Sequence, residues 1–232
     1  MRIIKARTLI SILVLLALSF AIDRLVPHQH LPWRKLNPNA PVGLSTRIQL
    51  LRVSLSPSSS CAALSDSATG FQSRAADPHR PDNVCGWNEA RHIQKSGDVS
   101  FAKAPVMQCP LGLGVHIWAQ AVNKAAKARY GSELKRIHHA GTFSCRRQNG
   151  NSSGQWSEHA FANAFDVTGF ELDDGRVISV LKGWNGSRED QIFLRSARDS
   201  ACKIFNVTLS PDFNAAHADH FHFDMGPVST CR

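Results

Sequence analysis

The sequence predicts an α+β domain, a small antiparallel sheet flanked by helices, carried outside the cytosol. Three observations predict it: two segments with apolar residues at helical spacing, five short strand-like runs mixed in order with them, and six widely spaced cysteines behind an apolar N-terminal stretch. With 232 residues and 43% apolar content, the chain has material for one ordinary core. A disordered chain and a small scaffold held by disulfides alone are thereby excluded.

The N-terminal stretch sets the compartment. Residues 1–7 carry Arg2, Lys5 and Arg7, and Thr8 to Ile22 is an uncharged run of 15. As a helix such a run reaches about 22 Å, against about 30 Å of hydrocarbon core. The basic flank, the short apolar run and the small residues around Ser19-Phe20-Ala21 make residues 1–22 an export signal. Two fates stay open: a cleaved leader, or a signal-anchor that leaves residues 8–22 in the inner membrane with its basic flank inside. No similar stretch recurs, which excludes a multi-span membrane protein. The expected location is the periplasm.

Residues 23–60 read as a tether. Pro27, Pro32, Pro38 and Pro41 interrupt it, Ser56-Pro57-Ser58-Ser59-Ser60 closes it, and only Ile48 to Leu55 shows a short apolar pattern. The folded domain is therefore expected over residues 61–232. Within it, Pro110 suits a first helical turn, Leu111, Val115, Trp118, Val122 and Ala126 follow at helical spacing, and Gly131 closes the run. A second helix is expected from Ser187, with Asp190 three residues on and Phe193, Ala197, Ala201 and Ile204 as its inner stripe. The strand-like runs are 135–139, 165–170, 176–180, 205–209 and 220–224, and Asp173-Asp174-Gly175 is a hairpin turn between two of them.

Cys61, Cys85, Cys109, Cys145, Cys202 and Cys231 include no C-x-x-C pair, which argues against a zinc ribbon or thioredoxin motif and for up to three structural disulfides. Six cysteines allow 15 connectivities, and spacing does not choose among them. The formal net charge of +9 falls to +6 without Arg2, Lys5 and Arg7. That charge favours anionic surroundings such as headgroups or cell-wall polymer, but no Lys/Arg stripe interleaves with aromatics, so nucleic acid is not an expected partner.

The chemistry concentrates in two places. His217-Ala218-Asp219-His220-Phe221-His222 gathers three of eleven histidines, and His159 stands seven residues before Asp166. On a strand His220 and His222 share a face, with Asp219 at the strand's mouth. Two imidazoles and a carboxylate form a three-ligand catalytic zinc site whose fourth position is open to water. Such a site also needs a non-ligating base, for which Asp219 is well placed, and a cation or donor where negative charge develops. His138 and His139, being consecutive, face opposite sides and are not expected as ligands. His116 is expected in packing, Glu158 in solvent, and Trp156 and Trp184 in a groove or the core.

Ser157, His159, Ala164 and Asp166, with Asp219-His220-Phe221-His222, resemble the zinc peptidases of the D-Ala-D-Ala carboxypeptidase and LD-endopeptidase group, with their S-x-H-x-x-G-x-A-x-D motif and late acid-x-x-H or H-x-H. Ala162 departs from it, standing where the motif has Gly. A wider resemblance covers the domain: Cys85-Gly86-Trp87, Cys109-Pro110-Leu111, His139 to Arg146, Ser157 to Phe170 and Leu209 to His217 are similar to the bacterial extensin-like C-terminal domain family. These resemblances imply a Hedgehog/DD-peptidase-type zinc fold, zinc on His159, Asp166 and His222, Asp219 as base, and Arg146 aimed at the substrate carbonyl. They further imply His220 as a supporting or oxyanion-side group and Ser157 as an orienting one. The implied activity is hydrolysis of an amide in peptidoglycan stem peptides. The alternatives are a non-catalytic, zinc-stabilised wall-binding domain and a zinc hydrolase of another amide.

Overall fold

The computed structural model describes residues 2–56 and 58–232; Pro57, part of the expected tether, and Met1 lie outside the described residues. In chain order the elements are α1 (Arg2–Leu25), α2 (Thr46–Ser54), α3 (Ser58–Ser67), β1 (Phe71–Ala76), β2 (Ala90–Ser96), β3 (Val99–Phe101), β4 (Val106–Met107) and α4 (Cys109–Tyr130). They continue with β5 (Leu134–Gly141), β6 (Ala164–Leu172), β7 (Val177–Ser179), α5 (Val180–Gly183), α6 (Arg188–Ala201), β8 (Val207–Leu209), β9 (Phe221–Asp224) and β10 (Thr230–Cys231).

The class is the expected α+β, but the sheet is larger and less uniform than expected. Ten strands join it, in the order β1-β2-β3-β5-β6-β9-β8-β10, with β4 on β2 and β7 on β6. The β3–β5 and β8–β10 pairs are parallel. The first four strands had no alternation to announce them; β3 and β4 are three and two residues long.

Both expected helices form where their caps place them. Pro110 lies in the first turn of α4, and Gly131 ends it at φ +69°, a left-handed conformation that glycine adopts without penalty. Ser187 Oγ accepts from Asp190 N at 3.1 Å to start α6. Both helices pack on one face of the sheet. Trp118 donates from its indole to the Ala197 carbonyl at 2.9 Å, joining α4 to α6, and its ring meets Phe223 at 4.9 Å. Phe223 stacks in turn on Phe205.

The segment read as a tether is folded onto this core. Leu36, Leu50 and Val53 are buried within it, and the Gln49 amide donates to the His28 and Leu31 carbonyls at 2.9 Å each. Gly114 of α4 admits the approach: a Cβ there would stand 2.9 Å from Phe205 and 3.5 Å from Leu50. Prolines shape this segment into turns without leaving it loose. The N-terminal helix is also longer than the uncharged run, because Ala6–Leu25 forms 20 residues of membrane-spanning length and hydropathy.

Three disulfides form: Cys61–Cys109, Cys85–Cys145 and Cys202–Cys231. The first ties α3 to the start of α4. The second clips two loops beside the histidine cluster, and the third holds β10 to the end of α6.

Candidate metal centre

Strand alternation builds the site. In β9, Phe221 and Phe223 point into the helix-covered core, so His222 and Asp224 face the other side. In β6, Phe165 and Val167 are likewise in the core, which turns Asp166 outward. Asp166 and His222 are direct cross-strand partners, so the sheet register alone sets these two side chains together.

His159 comes from a 3₁₀ turn, Glu158–Phe161, that precedes β6. Ser157 starts the turn by accepting from His159 N at 3.3 Å. Ala162 ends it at φ +53°, ψ 32°, the one non-glycine residue with positive φ among the described residues. A left-handed alanine costs about 1–2 kcal/mol. The turn is held from outside as well. Gly86 N donates to the Ala160 carbonyl at 2.8 Å and Ser144 N to the His159 carbonyl at 3.1 Å, so both loops of the Cys85–Cys145 disulfide grip it.

Three donor atoms converge. His159 Nε2 is 3.1 Å from Asp166 Oδ2 and 3.3 Å from His222 Nδ1, and His222 Nδ1 is 2.9 Å from Asp166 Oδ1. Two donors each about 2.0–2.1 Å from a tetrahedral ion stand about 3.3 Å apart, so the triangle has the size of a divalent-ion site. The far nitrogen of each imidazole is also engaged: His159 Nδ1 meets the Thr142 carbonyl at 3.2 Å and His222 Nε2 meets Asp224 Oδ2 at 2.9 Å. With the ring protons assigned to those partners, both inward nitrogens present lone pairs to one point.

The electrostatics fit a site built for positive charge. Burial works against ionisation of Asp166, but hydrogen bonds from His159 and His222 outweigh it and hold the carboxylate well below its usual range. Burial likewise opposes charge on His222, yet Asp166 and Asp224 on its two nitrogens raise its pKa to about 9.

Around these atoms lies a cleft of about 720 Å³, lined among others by Arg146, His217 and His220. His220 Nε2 is 3.8 Å from Asp166 Oδ1, while His220 Nδ1 meets Asp219 Oδ1 at 2.7 Å. Asp219 itself is mostly exposed and reaches the cluster through that ring.

One of the singled-out side chains departs from expectation. Glu158, expected in solvent, is half-buried and accepts from Asn163 Nδ2 at 2.6 Å; burial pushes its pKa up. Trp184 is core, donating to Asp212 at 2.8 Å, and Trp156 packs under the Arg147 guanidinium at 4.3 Å; neither lines the cleft. His116 is buried with Ser96, His139 packs against Phe165, and His138 faces Glu171. The sequence reading missed Asp224, although two residues past His222 on one strand is a detectable offset. It also missed the Thr142 carbonyl, which no side-chain pattern marks.

The α+β fold with this cluster on its open sheet face defines a class, a disulfide-braced domain with a histidine–carboxylate centre. The chain matches the family described as Extensin-like protein C-terminus over residues 59–232, and it belongs to that family. No curated protein and no solved structure matches the chain.

Proposed function

We propose that the protein is an exported zinc peptidase of the Hedgehog/DD-peptidase type that hydrolyses an amide bond in peptidoglycan stem peptides in the periplasm. The single observation that carries this reading is the donor triangle of His159, Asp166 and His222, with each imidazole backed by its own acceptor. When bound there, zinc supplies a Lewis acid for the scissile carbonyl.

The remaining chemistry falls to side chains of the cleft. Arg146, at its edge, stabilises the negative charge that develops on the attacked carbonyl oxygen. Asp219 and His220 work as a pair. The Asp219 carboxylate holds His220 Nδ1, which turns Nε2 toward the donor atoms. A proton from the attacking water is received at Nε2 and returned to the departing amine, with Asp219 balancing the imidazolium. Asp219 thus keeps the basic role implied by its motif but exerts it through the ring. Ser157 holds the turn that presents His159.

Two measurements on the purified chain test this reading. Elemental analysis is expected to find one zinc per chain, lost in His159→Ala. Muropeptide digests followed by mass are expected to show cleaved peptides on uncut glycan, with Asp219→Ala reducing turnover about 100-fold or more while zinc and fold persist. Zinc without turnover on any stem peptide would favour the wall-binding alternative. No metal in the wild-type chain would end both readings.

A further inference from the structure

The N-terminal helix is fastened to the domain. Asp23, in the last turn of α1, accepts from the Trp33 indole at 2.9 Å and pairs with the Arg34 guanidinium. From there the chain passes directly into packed structure. Ser45 N donates to the Gln29 carbonyl at 3.0 Å and Leu44 N to His30 Nδ1 at 3.2 Å, while Arg52 reaches the Pro32 carbonyl. Helix α2 therefore lies along residues 28–32, a few residues beyond the end of α1.

Among the described residues, the outer face of α2 has no cover. Ile48 and Leu51 of α2, with Leu55 just past its end, fall within one narrow stripe at 100° per residue and are 45%, 42% and 80% exposed, opposite the buried Leu50 and Val53; Leu44, in the turn before the helix, is 79% exposed. Arg47 and Arg52 flank the stripe on either side. Residues 24–65 contain five Lys or Arg and no Asp or Glu. Beside α2 a groove of about 430 Å³ is lined by Trp33, Arg34, Lys35 and Arg52 among others. Exposed leucines and a tryptophan bordered by Lys35, Arg47 and Arg52, next to a 20-residue apolar helix with none of its span buried, match a surface seated at a bilayer interface; Arg34 is already paired with Asp23.

We propose that α1 is retained as a membrane anchor, and that the segment from Trp33 to Leu55 forms a collar that binds anionic phospholipid headgroups of the same bilayer. The groove takes the phosphate and the outer stripe of α2 meets the acyl boundary. The Asp23 latch converts a flexible tether into a fixed stand, so the domain works close to the membrane. This surface is independent of the metal centre.

The test uses the full chain in vesicles of brominated phosphatidylcholine, with or without phosphatidylglycerol. The signal of Trp33 is read as the difference between wild type and Trp33→Phe. Quenching at least about twofold stronger with phosphatidylglycerol is expected, reduced by added salt and by the combined change Lys35→Glu, Arg52→Glu, which leaves the Asp23–Arg34 latch in place. The comparison between lipids needs no charge-reversal variant, so a misfolded double mutant does not obscure it. Equal quenching in both lipids, or none, would overturn the proposal. Quenching that changes with protein-to-lipid ratio would assign the stripe to a second copy instead. Mass analysis of the chain recovered from membranes must retain residues 1–22; a chain beginning near Asp23 removes the latch and the proposal with it.

Discussion

The two faces of the central strands do opposite work. On β6 and β9, Phe165, Val167, Phe221 and Phe223 point toward α4 and α6 and are fully buried, while Asp166, His222 and Asp224 point the other way into a polar cluster. The first face gains stability from each apolar side chain it removes from water. The second holds two carboxylates and two imidazoles at contact distance, an arrangement that costs desolvation and is offset by mutual hydrogen bonds. One strand thus carries fold and site on alternate residues, and neither face can slip register without destroying both.

That contrast is open to test. The largest effect is expected on the apolar face: Phe223→Ala opens a cavity beneath Trp118 and Phe205 and should cost about 3–5 kcal/mol in denaturant unfolding. A loss under about 1 kcal/mol would mean that the helix layer does not depend on this strand.

Next comes a polar group on the apolar side. His116 is fully buried against Ser96, and burial lowers its pKa to about 4 from the ordinary 6.5. The unfolded chain then binds the proton more readily, so the stability this residue governs is whole above pH 6.5 and is lost as pH falls toward 4. The loss should approach about 3 kcal/mol. His116→Gln should flatten that portion of the wild-type pH profile.

On the open face, Asp224→Asn should weaken binding at the proposed metal centre about 10–100-fold, because a neutral acceptor replaces the carboxylate on the Nε2 side of His222. Unfolding of the metal-free variant should move much less than for Phe223→Ala. Smallest of all is Ala162→Gly, where relief of the left-handed backbone is set against loss of a buried methyl and a freer unfolded chain. A change within about 1 kcal/mol is expected, with metal content unaltered.

Much of this was legible because its signals are local. The proline and glycine around α4, the Ser187 cap of α6 and the Asp173-Asp174-Gly175 turn are backbone chemistry that operates within a few residues. His159, Asp166 and His222 were visible as residue types at suggestive offsets. Residues 23–60 misled because proline density describes turn geometry, whereas the burial of Leu36, Leu50 and Val53 depends on a groove made by α4 and Gly114 far along the chain. Strands β1 to β4 escaped notice because short strands with exposed polar positions carry almost no periodicity. Glu158 was placed in solvent for the same reason, since its partner Asn163 becomes a neighbour only when the turn closes at Ala162.

The amino-acid order by itself determined the apolar N-terminal helix, the even set of six cysteines, the caps and the chemical types available to the site. All of these follow from composition or from interactions spanning a few residues. Only the tertiary structure decided which cysteines pair, which strand lies beside which, how Asp224 and the Thr142 carbonyl back the two imidazoles, and that α1 is latched through Asp23 to Trp33 and Arg34. These are meetings between distant parts of the chain. Their selection depends on which arrangement buries the most apolar surface while leaving most buried polar groups a partner, a property of the whole packing and of no segment alone.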